Sequence, residues 1–343
     1  MKSGAGRPEG PFFSVVMPVL DGGADMERCL AALRKSAFQD WELIVVDDGS
    51  SDGSPERAAG AGARVLRSEG RRGPAAARNL GAGQALGTYL FFLDADCQVH
   101  PDTLARAAAA LGSDPAPDAV FGSYDDDPVA EGFVARFKNL THHYVHQRGR
   151  PEAGTFWAGC GAVRRSTFLE VGGFDAELFP RPSIEDIELG YRLRERGFTV
   201  RLCREIQVKH LKRWTLAGLI RTDVLDRGVP WTRLMLARGF VEKDLNLSWR
   251  HRAGVGLAWI LAPALFLAPL VPWLFGAAAA AVAALILLNL DLYRFYIRRG
   301  GAAFALVAIP MHWLHYLYSG VAFAWGALAH AGARLGGRRL ASA

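Results

Sequence analysis

The sequence predicts an α/β, Rossmann-like domain with a mostly parallel central sheet, followed by interfacial helices and C-terminal transmembrane helices. Three observations carry this. Short apolar runs alternate with helical patterns over the first 110 residues, the mark of βαβ units. Two of those runs, 41–46 and 89–93, end abruptly in closely spaced carboxylates, Asp47-Asp48 and Asp94-Ala95-Asp96. Residues 254–330 then hold three long apolar stretches.

The elements follow in order. Residues 12–18 read as a first strand. A helix is expected over 24–36, where Met26, Leu30 and Leu33 recur at helical spacing. The second strand covers 41–46, and the Asp/Ser-rich residues after it can cap a helix from about Pro55. A short third strand covers 63–66. Residues 74–86 are Ala-rich and begin with Pro, which suits a helix start. The fourth strand is 89–93, and 101–111 is another Ala-rich helix. Further on, strands are expected at 119–122, 156–163 and 199–203, and helices at 129–147 and 184–196. The region 213–252 has amphipathic stretches interrupted by Gly228, Pro230 and Gly239, which suits helices lying in a membrane interface.

Charge and hydropathy divide the chain. Its net charge is +6. Residues 201–252 alone hold twelve Lys and Arg against five Asp and Glu, so the excess sits immediately before the first apolar run. Cytoplasmic flanks of membrane helices carry such charge, and anionic headgroups attract it. No nucleic-acid-binding module is visible, so nucleic acid is not the expected partner. The run 254–275 has 22 residues without a charge, enough to span a hydrocarbon core of about 30 Å. The runs 276–290, extendable to 297, and 302–329 bring the expected number of spans to two or three. The first residues lack an apolar signal-peptide core, and Cys29, Cys97, Cys160 and Cys203 show no zinc spacing. Both features predict a cytoplasmic catalytic part with reduced thiols, on a multi-pass protein of the inner (plasma) membrane. The expected organisation is a disordered N-terminus at 1–11, a catalytic domain at 12–210, basic interfacial helices at 211–252, membrane helices at 253–330 and a tail at 331–343.

Ligands of open α/β sheets bind beyond the carboxyl ends of the strands, where the paired acids fall. Mg²⁺ is held by one or two carboxylates plus substrate phosphates, so Asp94 and Asp96 can serve one divalent cation and one sugar hydroxyl. Asp47 and Asp48 can accept hydrogen bonds from a base N–H or ribose hydroxyls. Gly73-Pro74-Ala75-Ala76-Ala77-Arg78-Asn79 opens a helix whose small residues allow close approach of an anion, and Arg78 can meet a phosphate or a carboxylate. Glu185-Asp186-Ile187-Glu188 places three carboxylates at a helix start, where one can act as a general base. Upstream, Trp157 and Gly159 sit in a Gly-containing segment. His210 can complete a cation site.

In this order, residues 15–23, 46–54, 73–79, 94–96, 171–175 and 185–189 resemble the family 2 glycosyltransferases of GT-A fold, and the tail resembles membrane-anchored bacterial members. The resemblance covers roughly residues 12–210. It implies an inverting, metal-dependent transfer from a nucleotide-diphosphate sugar to a lipid, lipid-linked or polysaccharide acceptor. It places Pro18, Leu20 and Asp21 under the nucleotide, with Leu20-Asp21 standing where the family often has Tyr-Asn. It assigns Asp47, Asp48, Arg78 and Asp94 to the donor, and Asp96 and His210 to Mg²⁺ or Mn²⁺. Asp186 becomes the catalytic base, with Trp157, Gly159 and Glu185 on the acceptor side. A nucleotidyltransferase and a catalytically inactive, membrane-bound sugar-binding scaffold are the alternative classes.

Overall fold

The computed structural model describes residues 10–239 and 248–335. Most of the expected disordered N-terminus, residues 240–247 of the expected interfacial region and residues 336–343 of the expected tail lie outside the described residues. The chain divides into two compact units: Met1–Ala130 with Gly149–Lys212, and Glu131–Arg148 with Arg213–Ala343.

The first unit holds strands β1 (Phe13–Val19), β2 (Trp41–Asp47), β3 (Arg64–Arg67), β4 (Tyr89–Leu93), β5 (Cys97–Val99), β6 (Ala119–Tyr124), β7 (Cys160–Arg164) and β8 (Val200–His210). They form one sheet in the order β3-β2-β1-β4-β7-β6-β8-β5. Helices α1 (Gly23–Arg34), α2 (Ser54–Gly60), α3 (Gly73–Gly83) and α4 (Thr103–Leu111) follow in the chain. Helix α5 (Phe133–Arg148) belongs to the second unit, while α6 (Arg165–Glu170) and α7 (Glu185–Glu195) return to the first.

The four strands β3-β2-β1-β4 are mutually parallel. Beyond them the sheet is mixed, which corrects the expectation of a mostly parallel sheet. Strand β7 is antiparallel to both β4 and β6, β8 is parallel to β6, and β5 is antiparallel to β8. The reason lies in the loop before β7: Cys160 starts opposite Leu93, the last residue of β4, so β7 leaves the same rim at which β4 arrives. The expected strand at 156–163 accordingly begins only at Cys160.

Burial follows the strand period. Phe13, Val15 and Met17 pack with Met26, Leu30 and Leu33 of α1 and Leu104 of α4. On alternate residues, Phe92 meets Phe168 and Phe174 at ring separations of 5.3 and 5.1 Å. Helix α3 lies so close to the sheet that a Cβ at Gly81 would come within 2.5 Å of Val16 Cγ1. This close seat fixes the height of Arg78, one turn earlier on the helix. All four cysteines are free and buried.

In the second unit, α8 (Leu216–Arg221), a π-helical segment (Thr222–Gly228) and α9 (Val229–Arg238) run on without a break. Asp223 of that segment is buried against Lys138 Nζ of α5 at 2.8 Å and accepts from Tyr318 Oη at 3.0 Å. Burial raises its pKa, but Lys138, Arg227 and His315 overcome that, so it sits below the ordinary carboxylate range. Then come α10 (Trp249–Leu267), α11 (Leu274–Leu288), α12 (Leu290–Gly300) and α13 (Ala302–Leu335). Among the described residues no single helix is long and apolar enough to cross a membrane, in contrast to the two or three spans expected. The uncharged run 254–275 is cut by the break after Leu267. Among the described residues, α11 and α12 together reach the length and apolarity of a span, but they are bent by 67° at the break between them.

Candidate active site

The carboxyl ends of β1 and β2 are cross-linked by their own loops. Asp21, at φ 51°, accepts from Ser51 N and Oγ through Oδ1, and its own N–H donates to Ser50 Oγ. Gly22 N donates to Ser54 Oγ and Gly23 N to Asp52 Oδ2. Pro18 is half-buried in β1, and Leu20 is exposed beside it. Asp47 accepts from Ser50 N at 3.0 Å. Asp48 is buried and takes three donors: Ser68 Oγ, Arg72 N and Gly73 N, at 2.8–2.9 Å. Its charge therefore holds the loop leading into α3. Gly73 ends that loop at φ +84°, where a Cβ would meet Pro180 O at 2.5 Å.

Arg78 is only 4% exposed. Its Nη2 donates to Asp94 Oδ1 at 2.6 Å and its Nη1 to Glu185 Oε1 at 2.9 Å. The guanidinium lies over Phe174, 5.6 Å from the ring centre. Burial opposes its charge, but Asp94, Glu185 and Asp186 overcome that penalty, and the group stays protonated. Arg78 was expected to meet a phosphate or a carboxylate, and each of its terminal nitrogens donates to a carboxylate. The neighbouring Asn79 exchanges hydrogen bonds with the backbone of Phe174 at 2.7 and 2.9 Å. Glu188 is buried and grips Arg192, which donates to the carbonyls of Val171 and Gly173. The segment 171–175 is thus clamped from two helices, and Glu188 works as a structural anchor.

Asp94 and Asp96 follow β4, and Asp94 N donates to Gly159 O at 3.2 Å. The short strand β5 pairs Cys97 with His210, and Leu211 N donates to Asp96 O. This pairing brings His210 Nε2 to 3.8 Å from Asp96 Oδ2. Burial raises the pKa of Asp96, and Lys212 counters it. Asp94, Asp96 and Cys97 each offer a donor atom within 4.8 Å of the others. The Cys97 thiol is buried, and burial pushes its pKa well up, so it stays protonated. Two carboxylates with an imidazole nearby suit a hard divalent cation.

Asp186 opens α7. Its Oδ1 accepts from Ile187 N at 2.8 Å and its Oδ2 from Ala158 N at 3.1 Å. Burial, then the neighbouring charge of Glu185, push its pKa up to about 7, against the opposing pull of the Ala158 N–H and Arg78. Ala158 belongs to the loop carrying Trp157 and Gly159. A Cβ at Gly159 would lie 2.5 Å from the indole of Trp157, so glycine is what lets the ring fold over the backbone there.

One member of the site escaped the sequence reading. Tyr124 stacks on His210 with ring centres 4.1 Å apart at 10°, and meets Trp157 edge-on at 5.0 Å. The signal was available: β6 ends in Asp125-Asp126-Asp127, the same apolar-run-then-acid pattern as β2 and β4. Asp125 is buried between His100 Nε2 at 3.0 Å and Lys209 Nζ at 2.9 Å, tying β5 and β8 to the end of β6.

Paired acids at the ends of β2 and β4, one strand apart, with a half-buried carboxyl raised to about 7 beyond them, make a site suited to group transfer. Residues 14–172 match the model of Glycosyl transferase family 2. Glycosyltransferase AglE of Haloferax volcanii is 35% identical over 108 residues, covering 29% of this chain and 36% of that protein. A PGL/p-HBAD biosynthesis glycosyltransferase of Mycobacterium tuberculosis is 36% identical over 118 residues, covering 33% of this chain and 46% of that protein. The match therefore spans less than half the length of either relative. Among solved structures, the mannosyltransferase PcManGT from Pyrobaculum calidifontis, in complex with GDP-Man and Mn²⁺, shares the fold at a TM-score of 0.54 and 18% identity, over 95% of this chain and 87% of that one. Residues 14–172 therefore form a domain of the glycosyltransferase family 2 type.

Proposed function

We propose that the protein is a metal-dependent, inverting glycosyltransferase of hexosyl type, moving a sugar from a nucleotide-diphosphate donor to a hydroxyl of a lipid, lipid-linked or nascent polysaccharide acceptor. The observation that carries this is Asp186: a carboxyl raised to about 7, next in the chain to Glu185, which Arg78 bridges to Asp94 of the Asp94–Asp96 pair. A carboxylate of that basicity takes a hydroxyl proton near neutral pH. Asp96, with Asp94 and His210, would hold Mg²⁺ or Mn²⁺, which supplies charge neutralisation to a departing diphosphate. Asp48 and Gly73 shape the loop beside the donor, the half-buried Trp157 offers a flat apolar face to a sugar, and Tyr124 steadies His210 by stacking on it. The bound GDP-Man and Mn²⁺ of PcManGT and the PGL/p-HBAD biosynthesis glycosyltransferase among the relatives support this reading.

The second unit is proposed to sit in the inner (plasma) membrane, with the catalytic unit on the cytoplasmic side. Phe266 is 81% and Leu270 80% exposed, with Trp273, Leu306 and Leu328 also bare. An apolar surface of this extent is costly in water and favourable in lipid. Full-length protein should stay with membranes through high salt and alkali; release by either treatment would overturn the membrane placement.

The decisive assay is a panel of nucleotide sugars offered to the detergent-purified protein, with and without chelator and lipid extract. Nucleotide release that needs both a divalent cation and one donor supports the proposal. No turnover of any donor in excess Mg²⁺ or Mn²⁺ with the lipid extract present would sink it.

A further inference from the structure

We infer that Arg78 is a positioning residue, and that the buried chain Asp94–Arg78–Glu185 fixes the place and the charge environment of Asp186. The inference rests on the reading of Asp186 as the base. Arg78 is enclosed, with one terminal nitrogen on each carboxylate and an aromatic ring over its face. A guanidinium enclosed in this way, with each terminal nitrogen already bonded to a carboxylate, has its charge answered inside the protein. Glu185 is as firmly held: it is 5% exposed, its Oε1 takes Arg78, and its Oε2 takes Ser183 N at 2.9 Å. It cannot turn towards an acceptor. Asp186, by contrast, is half-buried and held only by two backbone N–H groups.

The groups facing Asp186 come from three elements. Glu185 lies on its own helix, Arg78 on α3, and the Ala158 N–H on the loop before β7; Asp94 stands behind Arg78 at the end of β4. Glu185 is a like charge that favours the protonated carboxyl, and Arg78 an opposite charge that favours the ionised one. Because Arg78 also grips Glu185, one side chain both restrains the helix start and balances the charge beside the base. A rigid fork serves this better than a single ammonium, since it reaches two carboxylates in fixed directions.

The test uses the full chain in detergent with Glu185→Gln, Arg78→Lys and Arg78→Met. Three readouts are needed: calorimetric binding of UDP and GDP, the pH profile of kcat for transfer, and the pH dependence of thermal stability. Glu185→Gln should move the acid limb of kcat, and the matching step in stability, down by roughly one pH unit. Arg78→Met should move both upward. Arg78→Lys should leave the limb nearly in place while kcat falls by about tenfold or more, the mark of lost orientation. Nucleotide affinity should stay within about threefold in all three, as expected when the lost group touches no phosphate. A tenfold or greater loss of UDP or GDP affinity in both Arg78 variants, with the pH limb unmoved, would overturn the inference. Should Arg78→Met fail to fold, an unmoved limb and stability step in Glu185→Gln overturn it equally. If the intact protein binds neither nucleotide and transfers nothing, the glycosyltransferase reading fails, while the stability step still decides the inference.

Discussion

At the end of β2, Asp48 gives its charge to three donors of its own chain and holds the loop into α3. At the start of α7, Asp186 receives two backbone N–H groups but lies half-buried beside another carboxylate. The two acids look alike in sequence, each beside a second acid at an element boundary. Their surroundings give them opposite uses. A carboxylate saturated with fixed donors is a piece of scaffold. One that is desolvated and pressed by a like charge holds its proton to near neutrality and can exchange it during a reaction.

The largest break in this comparison should come from Asp186→Asn. It keeps the shape and loses the basicity, so transfer should fall by about 10²–10⁴-fold, while calorimetric binding of the donor nucleotide survives. A variant that loses donor affinity and keeps its maximal rate would place Asp186 in the donor site. Asp96→Ala comes next, with turnover expected to drop at least ~100-fold and chelation of the wild type acting in the same direction. Full activity of Asp96→Ala in excess chelator would remove Asp96 from the metal site.

Asp48→Ala should behave differently from both. Asp48→Ala removes three hydrogen bonds to a buried charged group, from Ser68 Oγ, Arg72 N and Gly73 N, each worth about 1.5–3 kcal/mol, so thermal or denaturant unfolding should register a clear loss of stability. The midpoint of the acid limb should not move, because Asp48 does not face the base. A shifted limb at unchanged stability would make Asp48 part of the chemistry.

The parallel half of the sheet was legible because its strands are short apolar runs ended by turn residues, which period and punctuation both reveal. The other half was not. Strand β5 is three residues long, and its pairing with β8 is what carries His210 to Asp96. Strand β8 was expected to stop at 203 but runs to His210. Arg204 and Glu205 break its apolar run, and beyond them burial continues on Ile206, Val208 and His210 alone, the alternation of a strand with one wetter face. The acids of the site could be picked out from their places after strands and at helix starts. Arg78 could be picked out too, but not its partners: Glu185 lies 107 residues away, and only the folded sheet decides whether a guanidinium meets a phosphate or a carboxylate.

The last effect, like the unfolding of Asp48→Ala, needs no substrate. Asp186 titrates near 4 when unfolded and at about 7 when folded. Between those values the folded chain holds a proton that the unfolded chain has released. Stability therefore falls as pH rises through that window, and the contribution is lost once the pH passes about 7. Asp186→Asn removes the group from both states, so its stability profile should be flatter than that of the wild type between about pH 4 and 7. The comparison must be read as a difference between the two proteins. Asp96 is also raised and slopes the same way, while Asp125 and Asp223 are lowered and act in the opposite sense in more acid solution. These contributions are common to both chains and cancel. Parallel profiles would mean that Asp186 has an ordinary carboxyl, and with that the contrast between α7 and the end of β2 would disappear.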